Sequence, residues 1–139
     1  MSDERAVPRA FTVGERREMT RTVTPRDVAA FADLTGDRNP VHLDPAFAAT
    51  TRFGRPIAHG MLVASLFSGI MGQQLPGPGT IYLGQKLRFL APVFVGAEVT
   101  VSVEIIEIKE KGRATLRTLA SSDGKVVIDG DAEVLLPKT

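Results

Sequence analysis

Cysteine is missing from all 139 residues. Disulfides and thiolate-held metals are therefore excluded, and a reducing, cytoplasmic setting is expected. The chain also lacks a charge imbalance: 17 basic residues face 16 acidic ones, for a formal net charge of +1. This balance gives no general electrostatic case for nucleic acid or an anionic membrane as partner. Long apolar runs are missing too. The longest, AHGMLVASLFSGIMG from Ala58 to Gly72, falls short of the roughly 20 residues needed to cross a bilayer. The N-terminal MSDERAVPRA carries charge from Asp3 onward and lacks the apolar stretch of a secretory signal, so no export is expected. Internal repeats, low-complexity tracts and interdomain linkers are absent. Histidine is scarce, occurring only as His42 and His59.

What remains is a chain with 43% hydrophobic residues and the length of one ordinary domain. We expect a single domain over residues 1–139, with residues 1–10 a loose leader. Glu15 to Val23 reads as a first strand, although its alternation is poor. Thr24 followed by Pro25, with Asp27 soon after, is a helix start: the hydroxyl caps an orphan amide, proline tolerates the first turn, and the carboxylate favours the positive end. Gly36 is placed to end that helix in the left-handed conformation. Pro40 disfavours helical geometry at Asn39, so Asp37 to His42 is expected as an extended turn. Asp44 and Pro45 repeat the cap-and-proline pattern before a short helix through Phe47 and Ala48.

Beyond Pro56, small residues interleave with Met61, Leu62, Leu66, Phe67, Ile70 and Met71, so apolar side chains fall on every face. Such a helix is expected to be buried all round. Four apolar runs follow, near 80–90, 97–108, 113–122 and 125–136, separated by turn sequences such as EKGR and SSDGK. Val99, Val101, Val103 and Ile105 alternate with Thr100, Ser102 and Glu104, as in a strand with one wet face. The pattern is α+β: a curved antiparallel sheet wrapped around a long central helix. By fold analogy, such a sheet pairs edge to edge with a second copy.

The stretch DRNPVH places Asp37, Asn39 and His42 together. One reading makes Asp37 and His42 a proton-handling pair, one ionised and the other able to switch near neutrality, with Asn39 orienting a substrate or water. The other has Asp37 and Asn39 bonding their own backbone in a turn while His42 satisfies a carbonyl. A metal held by Asp37, His42, Asp44 and His59 has suitable ligand types but lacks any helical His-x-x-x-His or cysteine pair. Gly60, opening the buried helix, offers a free amide to developing negative charge, or serves close packing. Ser65 and Ser68 lie in no G-x-S-x-G elbow, which argues against a serine hydrolase.

The run Phe31, Thr35, Gly36, Asp37, Arg38, Asn39, Pro40, Val41, His42 resembles the motif of the MaoC-like family of hot-dog proteins, specifically its (R)-specific enoyl-CoA hydratases. The resemblance continues through DPAFAATTRFGRPIAHGMLVASLFSG and IYLGQKLRFLAPVFVGAEV. It implies a hot-dog fold, hydration of trans-2-enoyl-CoA to (R)-3-hydroxyacyl-CoA for polyhydroxyalkanoate synthesis, no cofactor, no metal, and a homodimer. Asp37 and His42 would then be the catalytic pair, Asn39 a positioning residue and the Gly60 amide the carbonyl-polarising donor. Ser68, Met71 and Val134 would wall an acyl slot, and Arg52, Arg55, Lys86 and Arg88 would meet CoA phosphates, from either subunit. Three rivals remain: a dehydratase acting on acyl-carrier protein, a hot-dog acyl-CoA thioesterase, and a non-catalytic acyl-CoA-binding partner.

Overall fold

The computed structural model describes residues 10–138, so most of the expected leader lies outside the described residues. Strand β1 covers Arg16–Thr22. Helix α1, Pro25–Thr35, begins where the sequence placed it: Thr24 Oγ1 accepts from the Asp27 amide and Asp27 Oδ2 accepts from the Thr24 amide, at 3.1 and 3.0 Å. This reciprocal pair satisfies two otherwise orphaned donors. At the other end Gly36 takes φ 80°, and its amide donates to the Ala32 carbonyl. A side chain would be strained in that left-handed conformation.

The expected extended turn is corrected. Only Asp37 to Asn39 lie outside a helix, and Pro40–Leu43 form helix α2 with Asn39 as N-cap, its Oδ1 accepting from the Val41 amide at 3.1 Å. Pro40 restricts the residue before it, not those after it, so proline at the first helical position starts this turn. Helix α3, Pro45–Ala48, follows with Asp44 capping the amides of Ala46 and Phe47. Helix α4 is Gly60–Gln73. The remaining strands are β2 Ile81–Phe89, β3 Glu98–Ile108, β4 Arg113–Ser122 and β5 Lys125–Leu135.

The five strands form one antiparallel sheet in the order β1-β3-β4-β5-β2. Helix α4 lies on its concave face against β3, β1 and β4. Phe67, Ile70 and Met71 meet Val99, Val101, Val103 and Ile105 of β3 and Leu116 of β4 in one buried cluster. Each of these large side chains contributes roughly 1.5–3 kcal/mol through burial. Among the described residues, no helix is long and apolar enough to cross a membrane.

The expectation that α4 is buried all round is also corrected. Met61 is 57% exposed, and Ser65, Ser68 and Gly69 are exposed on the same stripe. The sheet is open and the helix sits toward its β1 side, so five strands cover one face only. Edge strand β2 is left with Ile81, Tyr82, Leu83 and Phe89 all at least 40% exposed.

Candidate active site

Three short backbone links assemble the site. Ile57 donates its amide to Val41 of α2 and forms an isolated bridge with Phe94, while Ala58 donates to Val93. The segment entering α4 is thus tied both to the helix carrying His42 and to the chain leaving β2. His59 follows as N-cap of α4. Asp37, His42 and His59 come together so that one potential ligand atom of each lies within 4.8 Å of the others.

The hydrogen bonds fix the imidazoles. His42 Nδ1 lies 2.6 Å from the Ile57 carbonyl oxygen and His59 Nε2 lies 3.0 Å from that of Asp37. A carbonyl can only accept, so each of those nitrogens carries the proton. In the neutral rings His42 Nε2 and His59 Nδ1 then hold the lone pairs. The rings stack with centroids 3.8 Å apart and planes at 29°. Burial holds the His42 pKa below its ordinary value, and charge repulsion from His59 adds to this; the Ile57 carbonyl and Asp37 oppose it.

Asp37 and Asn39 also do what short polar side chains do in turns. Asp37 Oδ1 accepts from the Asn39 amide at 3.2 Å, and Asn39 Oδ1 is the cap described above. The bland reading of these residues therefore holds locally, yet Asp37 also lines a cavity of about 420 Å³ together with His42 and His59. Its other walls include Arg52, Phe53, Ile57, Gly60, Met61, Val63, Phe89, Leu90, Val93 and Ile128. Asn39 is not among them.

Gly60 is favoured by packing here: a Cβ at this position would lie 2.6 Å from Phe89 Cε1, so the half-exposed ring would have to move. Its amide and that of Met61 precede the first intrahelical bonds of α4, which Leu62 and Val63 make to His59. These two amides therefore have no intrahelical acceptor, and both residues line the cavity.

The other expected residues are more dispersed. Arg52 is on the cavity wall, with its guanidinium 5.1 Å from the Phe53 ring. Arg55 stacks on Phe94 at 3.9 Å and faces a second cavity, which shares Ala91 and Pro92 with the first and also contains Lys125. Lys86 and Arg88 alternate with Leu87, which packs on the core. They therefore point to the opposite face of β2, paired in register with Asp131 and Asp129. Ser68 is exposed, while Met71 and Val134 are buried in the core, and none of the three lines the cavity. The four-residue metal grouping does not assemble, because Asp44 caps α3.

Sequence reasoning missed Phe53, Phe89 and Ile128 as cavity walls. Phe89 ends a strand and Phe53 sits in a loop, and neither position has a local pattern that separates a lining side chain from a core one.

Residues 10–125 match the MaoC like domain family. The chain is 55% identical over 130 residues to an (R)-specific enoyl-CoA hydratase of Aeromonas caviae, covering 92% of this chain and 97% of that protein. It is 47% identical over 127 residues to a 3-hydroxybutyryl-CoA dehydratase of Methylorubrum extorquens, covering 91% and 81%. The solved structure of the A. caviae (R)-hydratase involved in PHA biosynthesis superposes with a TM-score of 0.90 at 54% identity, over 92% of this chain and 98% of that one. The open five-stranded sheet with its long helix is the hot-dog fold. With the paired histidines, the Asp37 turn and the start of α4 all falling inside the matched span, the chain belongs to the MaoC-like family.

Proposed function

We propose that this protein is an (R)-specific enoyl-CoA hydratase that adds water to trans-2-enoyl-CoA and yields (R)-3-hydroxyacyl-CoA for polyhydroxyalkanoate synthesis. The observation that carries this reading is the meeting of the Asp37 carboxylate and the free His42 Nε2 lone pair at an apolar cavity beside the first amides of α4. A water between Asp37 and His42 gives up one proton to the pair. Its oxygen lone pair attacks C3, and the π electrons move to C2 and the thioester oxygen. That oxygen takes its charge against the Gly60 amide. The proton returns from the pair to C2, the carbonyl re-forms, and both side chains end as they began. Asn39 positions the pair by starting the helix that carries His42.

Met61, Val63, Phe89, Leu90 and Ile128 give the first acyl carbons an apolar wall. Ser68, Met71 and Val134 lie off this cavity, Ser68 exposed and the other two buried in the core, and are given no part in the slot. Arg52, on the cavity wall, and Arg55, on the adjoining second cavity, are the CoA-phosphate partners on this subunit, with Lys86 and Arg88 left to act from a second copy. That copy docks at β2, whose apolar side chains stand open at the sheet edge. The whole chain works as one domain, in the cytoplasm, without a metal or cofactor.

The test is turnover of crotonyl-CoA by purified protein, followed by loss of the conjugated enoyl-thioester absorbance and by product stereochemistry. (R)-3-hydroxybutyryl-CoA is expected, with kcat falling on the order of 10²–10⁴-fold in Asp37→Asn and His42→Gln. Release of free thiol would instead indicate a thioesterase, and turnover confined to carrier-protein thioesters would indicate a dehydratase of that class.

A further inference from the structure

His59 is the one titratable side chain at this site that the proposed chemistry does not use, and it is among the most buried polar groups, at 2% exposure. It occupies the N-cap of α4, a position that favours Ser, Thr, Asp or Asn because their oxygens accept from the helix amides. His59 makes no such side-chain bond. Its Nδ1 is also buried without a partner. Something other than helix capping therefore accounts for an imidazole here.

Its remaining contacts converge on the pair. Nε2–H donates to the Asp37 carbonyl across 22 residues of chain at 3.0 Å. One ring face stacks on His42 at 3.8 Å, and the Phe31 ring lies 4.8 Å away at 55°. We infer that His59 is a positioning residue that holds the Asp37 peptide through Nε2–H and fixes the plane of His42 through its ring. Asp37 needs such a hold because it lies in the short stretch between α1 and α2, exposed and outside both helices. The inference rests on the hydratase reading above.

Two variants separate the hydrogen bond from simple packing. His59→Phe keeps an aromatic ring between Phe31 and His42 but removes the donor. His59→Gln places an amide nitrogen near the position of Nε2 without the ring. The expected result for His59→Phe is a loss in kcat on the order of 10–100-fold, the scale of a small misplacement of reacting groups. KM should stay within about twofold and the melting temperature close to wild type. His59→Gln should recover most of the loss. Backbone amide signals of Asp37 and Asn39 should shift in His59→Phe and return toward wild type in His59→Gln.

Wild-type kcat in His59→Phe with unmoved amide signals would overturn the inference, as would a rise in KM alone. Joint loss of kcat and melting temperature in both variants would reduce His59 to a packing residue. If wild type hydrates no enoyl thioester, the functional reading fails, and the amide signals still decide whether His59 holds Asp37.

Discussion

The Ile57 carbonyl selects the tautomer of His42: at 2.6 Å it claims the Nδ1 proton and leaves Nε2 as the ring's only acceptor. The same ring has its pKa lowered, mainly by burial. The neutral form, the one able to take a proton from water if His42 acts as proposed, therefore persists below the ordinary value of 6.5. The acid limb of kcat/KM should fall below that value, and the His42 ring-proton titration should have the same midpoint. For stability the sign follows from fewer protons bound when folded. This group's contribution is complete above the ordinary pKa and is lost as pH falls toward the folded one. A midpoint at or above 6.5 would contradict the assignment.

The amide and the packing role of Gly60 can be separated. Gly60→Ala alone should displace Phe89 and lower kcat/KM, since the new Cβ falls on the ring. In a Phe89→Ala background the clash is gone, and both Gly60→Ala and Gly60→Pro become comparable. Proline is accepted at the first helical position, and His59 already has the extended ψ of 133° that a following proline requires. Only the proline removes the N–H. We expect it to cost about 10²-fold more in kcat than the alanine if that amide receives the thioester charge. Equal rates would leave Gly60 a packing residue only.

Thr24→Ala should act on stability alone. It removes one half of the reciprocal cap of α1, at the end of the helix remote from Asp37. The expected loss is about 0.5–2 kcal/mol by thermal or denaturant unfolding. Substrate turnover should stay within about twofold of wild type.

Leu83→Lys places a charge on an exposed edge-strand position. If β2 joins two copies, sedimentation should shift from a dimer toward the 14.9 kDa single chain. An unchanged sedimentation pattern would remove β2 from the interface.

Local chemistry made much of the fold legible. Thr24–Pro25 and Asp44–Pro45 mark helix starts because cap and proline act within a few residues, and Val99 to Ile105 mark β3 because alternation is a property of one strand. Asn39–Pro40 has the same grammar, but the restriction proline places on the residue before it says nothing about the helix that begins at the proline itself. The open stripe on α4 was not legible, since the residues Met61, Ser65, Ser68 and Gly69 are as small or apolar as those on the buried side. Composition on a helix face does not record whether the covering surface comes from the same chain. The motif supplied Asp37 and His42, but the His42–His59 stack depends on the loop between them closing back onto α2, which no local pattern encodes.

Tyr82 lies on edge strand β2, its hydroxyl bonded to Gln85 and its pKa pushed up to about 12 by partial desolvation of a ring that stays 40% exposed. It is the only tyrosine in a chain without tryptophan. The protein's near-ultraviolet emission therefore comes essentially from one known place, and an unlabelled sample reports on the edge of its own sheet. Dilution, unfolding and alkaline titration can each be followed by that single phenol.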